Sequence, residues 1–162
     1  MPRQDFAGQH RFAILRIPFP EETAVPENEF LGGCLCGTVR YRIVGEPRRF
    51  YHCHCRRCRK ATGTGHATNM FLQPARLEWM SGEASVRAYK VPEAARFTNT
   101  FCSECGGRLP RQNGDAVGVP AGSLDTEPSL APQARIWVGS ATRWSCQGDA
   151  LPVFEEQMIQ AT

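Results

Sequence analysis

His52-Cys53-His54-Cys55-Arg56-Arg57-Cys58-Arg59-Lys60-Ala61-Thr62-Gly63 places three thiols within six residues, close enough to hold one ion. Cys34-Leu35-Cys36 lies upstream of it and Cys102-Ser103-Glu104-Cys105 downstream, so seven of the eight cysteines cluster and Cys146 stands apart. Thiolates at such spacing suit a soft, tetrahedral cation such as zinc. Two closed tetrahedral sites need eight ligands, and seven clustered thiols leave one position to fill. The natural division gives Cys34, Cys36, Cys102 and Cys105 to a closed structural site that joins distant segments. Cys53, Cys55 and Cys58 then hold a second zinc with an open fourth position, which is what chemistry on the metal requires. The expected cofactor is therefore two Zn²⁺ per chain.

Alternatives stay open at the second site. Cys146 would close it and make both zincs structural. His52 and His54 are further candidates, although on an extended segment each points away from the neighbouring thiols. His66, close to Gly63 and Gly65, is a candidate pocket residue or a satisfied structural one.

The remaining composition describes an ordinary globule. At 162 residues with 41% hydrophobic and 22% charged content, the chain suits one domain with a real core. No stretch approaches the ~20 apolar residues of a membrane span. Phe12-Ala13-Ile14-Leu15 is too short for a secretory signal core, so the expectation is a cytoplasmic protein with reduced thiols. The formal charge of +3 counts thiols as neutral. Seven thiolates and two zinc ions bring the total to about zero, which argues against strong nucleic-acid affinity. Few aromatics interrupt the basic run, which argues the same way.

Residues 1–29 read as an N-terminal arm, acidic at Glu21, Glu22, Glu27 and Glu29 and broken by Pro18, Pro20 and Pro26. His10 fits an exposed position within it. Thr38–Val44 alternates, with Val39, Tyr41 and Ile43 on one face, and Gly45-Glu46-Pro47 is expected to turn the chain. Phe50–His52 then delivers Cys53, and a short helix is expected from Cys55 to Ala61, ended by Gly63 and Gly65. Further strands are expected at 67–72, 77–80, 86–90, 96–101, 116–121 and 135–138, punctuated at Pro74, Ser81-Gly82, Pro92, Asn113-Gly114, Pro128 and Pro132. Many short strands between Gly/Pro turns indicate an all-β architecture.

These motifs resemble the glutathione-dependent formaldehyde-activating enzyme family, also called the centromere-protein-V/GFA domain. The resemblance rests on Gly33-Cys34-Leu35-Cys36-Gly37, on His52 to Gly63, and on Phe101-Cys102-Ser103-Glu104-Cys105-Gly106. Ala121-Gly122-Ser123-Leu124-Asp125 and Pro132 to Trp137 are similar to its C-terminal signature. The match covers roughly residues 30–155, leaving 156–162 as a tail. It implies a β-tent of stacked antiparallel sheets, stapled by zinc, and the same division into a structural and a catalytic site. It also implies a carbon–sulfur lyase that joins glutathione and formaldehyde as S-hydroxymethylglutathione, with glutathione as co-substrate. Arg56, Arg57 and Lys60, with Arg59 beside them, would then offer charge to a glutathione carboxylate. Arg135 stands where the family usually carries His. The alternative function is a non-catalytic double-zinc module that binds protein or nucleic acid. No feature of the sequence fixes the oligomeric state.

Overall fold

The computed structural model describes residues 28–145 together with Leu151 and Glu155. His10 and Cys146 lie outside the described residues, as does nearly all of the arm. Eight strands and one α-helix follow one another within them. In chain order these are β1 Glu29–Gly33, β2 Arg40–Cys53, α1 Arg56–Thr62, β3 Ala67–Ser81, β4 Val86–Lys90, β5 Thr98–Cys102, β6 Arg111–Asn113, β7 Ala116–Pro120 and β8 Ala134–Ile136. The main sheet runs β1-β2-β3-β7-β6, all antiparallel, and β4 pairs with β5 as a second antiparallel sheet. β8 lies parallel to the end of β2, with Arg135 opposite His52 and Ile136 opposite Cys53. The all-β expectation holds.

The sheet is built on β2 and β3, which pair from Arg40↔Ser81 to Cys53↔Ala67. Gly45-Glu46-Pro47 does not turn the chain, and Pro74 does not divide β3. Both segments lie inside long bent strands, with register shifts between Gly45 and Pro47 and between Pro47 and Arg49. Bulges tolerate a proline that has no N–H for the ladder. β1 was not expected as a strand, and it begins at Glu29, one residue inside the stretch read as arm. β6, only three residues long, was also missed. It joins β7 through Gly114 and Asp115, and Gly114 takes the left-handed φ of 62° that this turn demands.

Alternation decides what is buried. Val39, Tyr41 and Ile43 are all fully buried and meet Phe30, Met70, Leu72, Val117 and Val119 in the main core. Each such side chain contributes roughly 1.5–3 kcal/mol when taken from water. Cys34 and Cys102 sit in this same cluster. A smaller cluster collects Cys53, Cys58 and Ala67, with Cys55, Phe97 and Ile136 packed against it. Each thiol group is thus anchored to its own patch of packed side chains. No helix among the described residues is long and apolar enough to cross a membrane.

Candidate metal centres

Cys34 leaves the end of β1, and its carbonyl accepts the N–H of Gly37 at 3.0 Å while its N–H reaches Val39 O at 3.0 Å. Gly37, at φ 76°, gives the turn its left-handed step. The Val39 N–H donates to Cys34 Sγ at 3.2 Å. The opposing turn follows the same plan: Gly106 N–H donates to Cys102 O, Cys102 N–H to Gly107 O, and Gly107 N–H to Cys105 Sγ at 3.4 Å. Gly107 brings the two turns together, because a Cβ there would lie 3.1 Å from Leu35 N and 3.2 Å from Cys105 Sγ. The four sulfurs of Cys34, Cys36, Cys102 and Cys105 lie within 4.8 Å of one another.

The second group depends on one short helix. Cys53 closes β2, and the His54 N–H donates to Ile136 O of β8 at 2.9 Å. Cys55 is the N-cap of α1, and its sulfur accepts the N–H of Cys58 at 3.4 Å. Gly63 ends the helix at φ 71°, donating its N–H to Arg59 O at 2.9 Å. The sulfurs of Cys53, Cys55 and Cys58 also lie within 4.8 Å of one another. No fourth His, Cys, Asp or Glu among the described residues joins them.

Both donor sets fit zinc. Bonds of about 2.3 Å in a tetrahedron set neighbouring sulfurs about 3.8 Å apart. The Cys34 and Cys36 sulfurs are 3.5 Å apart before any ion is considered. Electrostatics points the same way. Burial pushes the Cys34 thiol up to about 11, against the pull of the Val39 N–H. The Thr38 hydroxyl, 3.2 Å from its sulfur, and the Thr38 N–H bring Cys36 down to about 6. The Gly107 and Cys36 N–H groups lower Cys105. In the second group, burial raises Cys53, and it raises Cys58 strongly, with the Cys53 charge adding to the effect. Burial also acts upward on Cys55, but the Cys58 N–H and the neighbouring thiols outweigh it, so the net shift is downward. Each group thus combines thiols shifted downward by hydrogen bonds with thiols shifted upward by burial.

Among the described residues no histidine joins either thiol group. His52 and His54 both pack against His66, with ring centroids 4.5 and 5.2 Å apart. His52 Nδ1 lies 3.0 Å from the Thr68 hydroxyl, and His54 is almost completely buried. Burial lowers the pKa of His52 and of His66, and the Arg135 charge acts in the same direction on both. The three rings form one aromatic cluster centred on His66.

Arg56, Arg57 and Lys60 are exposed on α1. A cavity of about 300 Å³ opens beside Cys58, and its arginines are others: Arg96, Arg108 and Arg111, with Phe71 and Phe97 as apolar walls. The sequence reading missed all three. Arg108 carried the only local signal, standing directly behind Cys105-Gly106-Gly107.

Two thiol groups, one with four donors and one with three beside a cavity, define a β protein with two candidate metal centres. Residues 29–140 match the family model described as "Glutathione-dependent formaldehyde-activating enzyme", and the chain belongs to that family. No curated protein matches the chain. Among solved structures it is similar to a Rhodobacter sphaeroides protein determined as a structural genomics target. That likeness has 23% identity over 65% of this chain and 98% of that one, with a TM-score of 0.43.

Proposed function

We propose that the chain is a zinc enzyme of the carbon–sulfur lyase type, acting on a thiol and an aldehyde at the Cys53–Cys55–Cys58 centre. The observation that supports this most is the count of donors: three thiols gather beside a cavity, whereas a closed site takes four. The family's description suggests glutathione and formaldehyde as the pair. Cys34, Cys36, Cys102 and Cys105 are assigned to the structural zinc, and residues 30–155 to one catalytic domain.

When bound at the three thiolates, zinc supplies a coordination position at which an incoming thiol loses its proton at neutral pH. The chain's residues do the rest. Cys53 is fixed by β2 and Cys55 and Cys58 by α1, so the donors are held before substrate arrives. Phe71 and Phe97 give the cavity apolar walls that limit water around the reacting carbon. In the forward direction the substrate sulfur forms a bond to the aldehyde carbon and the carbonyl π bond breaks. The oxygen takes a proton equivalent to the one the thiol released. The reverse step returns both reactants.

The test is the exchange between the formaldehyde–glutathione adduct and its free components, followed by NMR at equilibrium. Zinc-replete protein, the Cys55→Ser variant and buffer would be compared. Acceleration by the intact protein alone is expected. No acceleration would overturn this substrate pair and leave the non-catalytic double-zinc module as the better account.

A further inference from the structure

The cavity beside Cys58 carries more positive charge than its surroundings balance. Arg108 is half-buried, and its Nη1 atom is buried with no hydrogen-bond partner. Its Nε donates to the Asn99 side-chain oxygen at 2.9 Å, a neutral amide. Arg111 donates from Nη1 to the Arg96 carbonyl at 3.3 Å, again to a neutral group. The ion pairs among the described residues join Arg40 to Asp125 and Arg42 to Glu29 and Glu78, and none of them uses these three arginines. No acidic residue lines the cavity. A buried guanidinium without an anion is costly, and a planar fork is the shape that grips a carboxylate with two parallel hydrogen bonds.

We propose that this cavity is the anion-recognising half of the substrate site, in which Arg108, assisted by Arg96 and Arg111, receives a carboxylate of the thiol whose sulfur approaches Cys53, Cys55 and Cys58. The assignment rests on the thiol chemistry proposed above and deepens it by naming the side chains that would hold the thiol's carboxylate. It also replaces Arg56, Arg57 and Lys60 as carboxylate partners, since the cavity beside Cys58 is lined by other arginines.

The experiment titrates zinc-replete protein with glutathione and with glutathione diethyl ester, two thiols that differ in charge at their carboxyl groups, by calorimetry. Glutathione is expected to bind at least about tenfold more tightly than the ester. In Arg108→Gln that ratio is expected to fall toward one while the affinity for the ester is retained. Arg96→Gln combined with Arg111→Gln, at less buried positions, is expected to reduce the ratio as well, and serves if Arg108→Gln does not fold. Equal affinity of the intact protein for acid and ester would overturn the carboxylate site and leave the thiol chemistry standing. A ratio that survives in the arginine variants, even with zinc lost, would reduce Arg108 to a structural role. A ratio that collapses instead in Arg56→Gln/Arg57→Gln/Lys60→Gln would move the site to α1. Failure of both thiols to bind would overturn the thiol chemistry and the anion site with it.

Discussion

The sulfur of Cys55 accepts the backbone N–H of Cys58 at 3.4 Å, so one atom caps the helix that delivers its fellow donor. Serine is a better cap than cysteine but a harder and poorer zinc ligand. Cys55→Ser is therefore expected to stay folded while its zinc content falls from about two to about one per chain. Cys55→Ala should lose about 1 kcal/mol more through the missing cap. Metal analysis beside thermal melts checks both, and unchanged zinc in the serine variant would refute the assignment.

The four-thiol group lies against the main core, so its loss should reach the whole fold. Cys34→Ser and Cys105→Ser are each expected to yield insoluble protein or a cooperative unfolding transition shifted far downward. Chelation of the wild type should act the same way, because metal binding at such a site is folding free energy. Normal melting of Cys105→Ser would count against a structural zinc there.

Gly82 tests the approach of β3 to the first thiol turn. It sits at φ 67°, and a Cβ would lie 2.2 Å from the Thr38 carbonyl oxygen. The left-handed backbone alone costs an L residue roughly 1–2 kcal/mol, and the clash is with main chain that cannot swing aside. Gly82→Ala is expected to lose about 2 kcal/mol or more in urea unfolding. Because Thr38 also touches Cys36, zinc should be released at lower chelator concentration.

Tyr41 is fully buried, with its hydroxyl 2.8 Å from the Ser123 carbonyl and 2.7 Å from the Ser123 hydroxyl. Tyr41→Phe should cost about 1–2 kcal/mol and leave zinc content unchanged. Burial raises the Tyr41 phenol well above its usual value. Above about pH 10 the unfolded phenol loses its proton and the folded one keeps it, so stability falls as pH rises. The phenylalanine variant is expected to lose stability less steeply across that range, as denaturation followed against pH would show.

What was legible in the sequence was local. Seven cysteines fell into the groups their spacing suggested, the short helix appeared within a residue of its expected bounds, and Val39, Tyr41 and Ile43 were buried as their alternation required. The long strands were not legible, because Gly45, Pro47 and Pro74 are breakers when read singly. They face each other across β2 and β3, where paired bends let both strands continue through them. β1 was hidden by Gly32 and Gly33, which were read as part of the thiol turn alone. The arginine cavity was hidden for another reason: Arg96 and the pair Arg108 and Arg111 come from two separate stretches, both distant from Cys58 in sequence, and only the folded chain sets them beside it.

The two thiol groups also differ in how much chain they enclose. Cys53 to Cys58 spans a single tight segment, whereas Cys36 and Cys102 are separated by residues 37–101, sixty-five in all. Drawing the ends of a disordered loop of that length together costs about 4 kcal/mol in chain entropy by the relation used for cross-links. The local group is free of nearly all of that cost. A newly made chain can therefore capture an ion at Cys53, Cys55 and Cys58 early. The four-thiol centre gains its full affinity only once the sheets have already brought its halves together. On chain entropy alone the three-thiol group is therefore expected to take up an ion before the four-thiol group does.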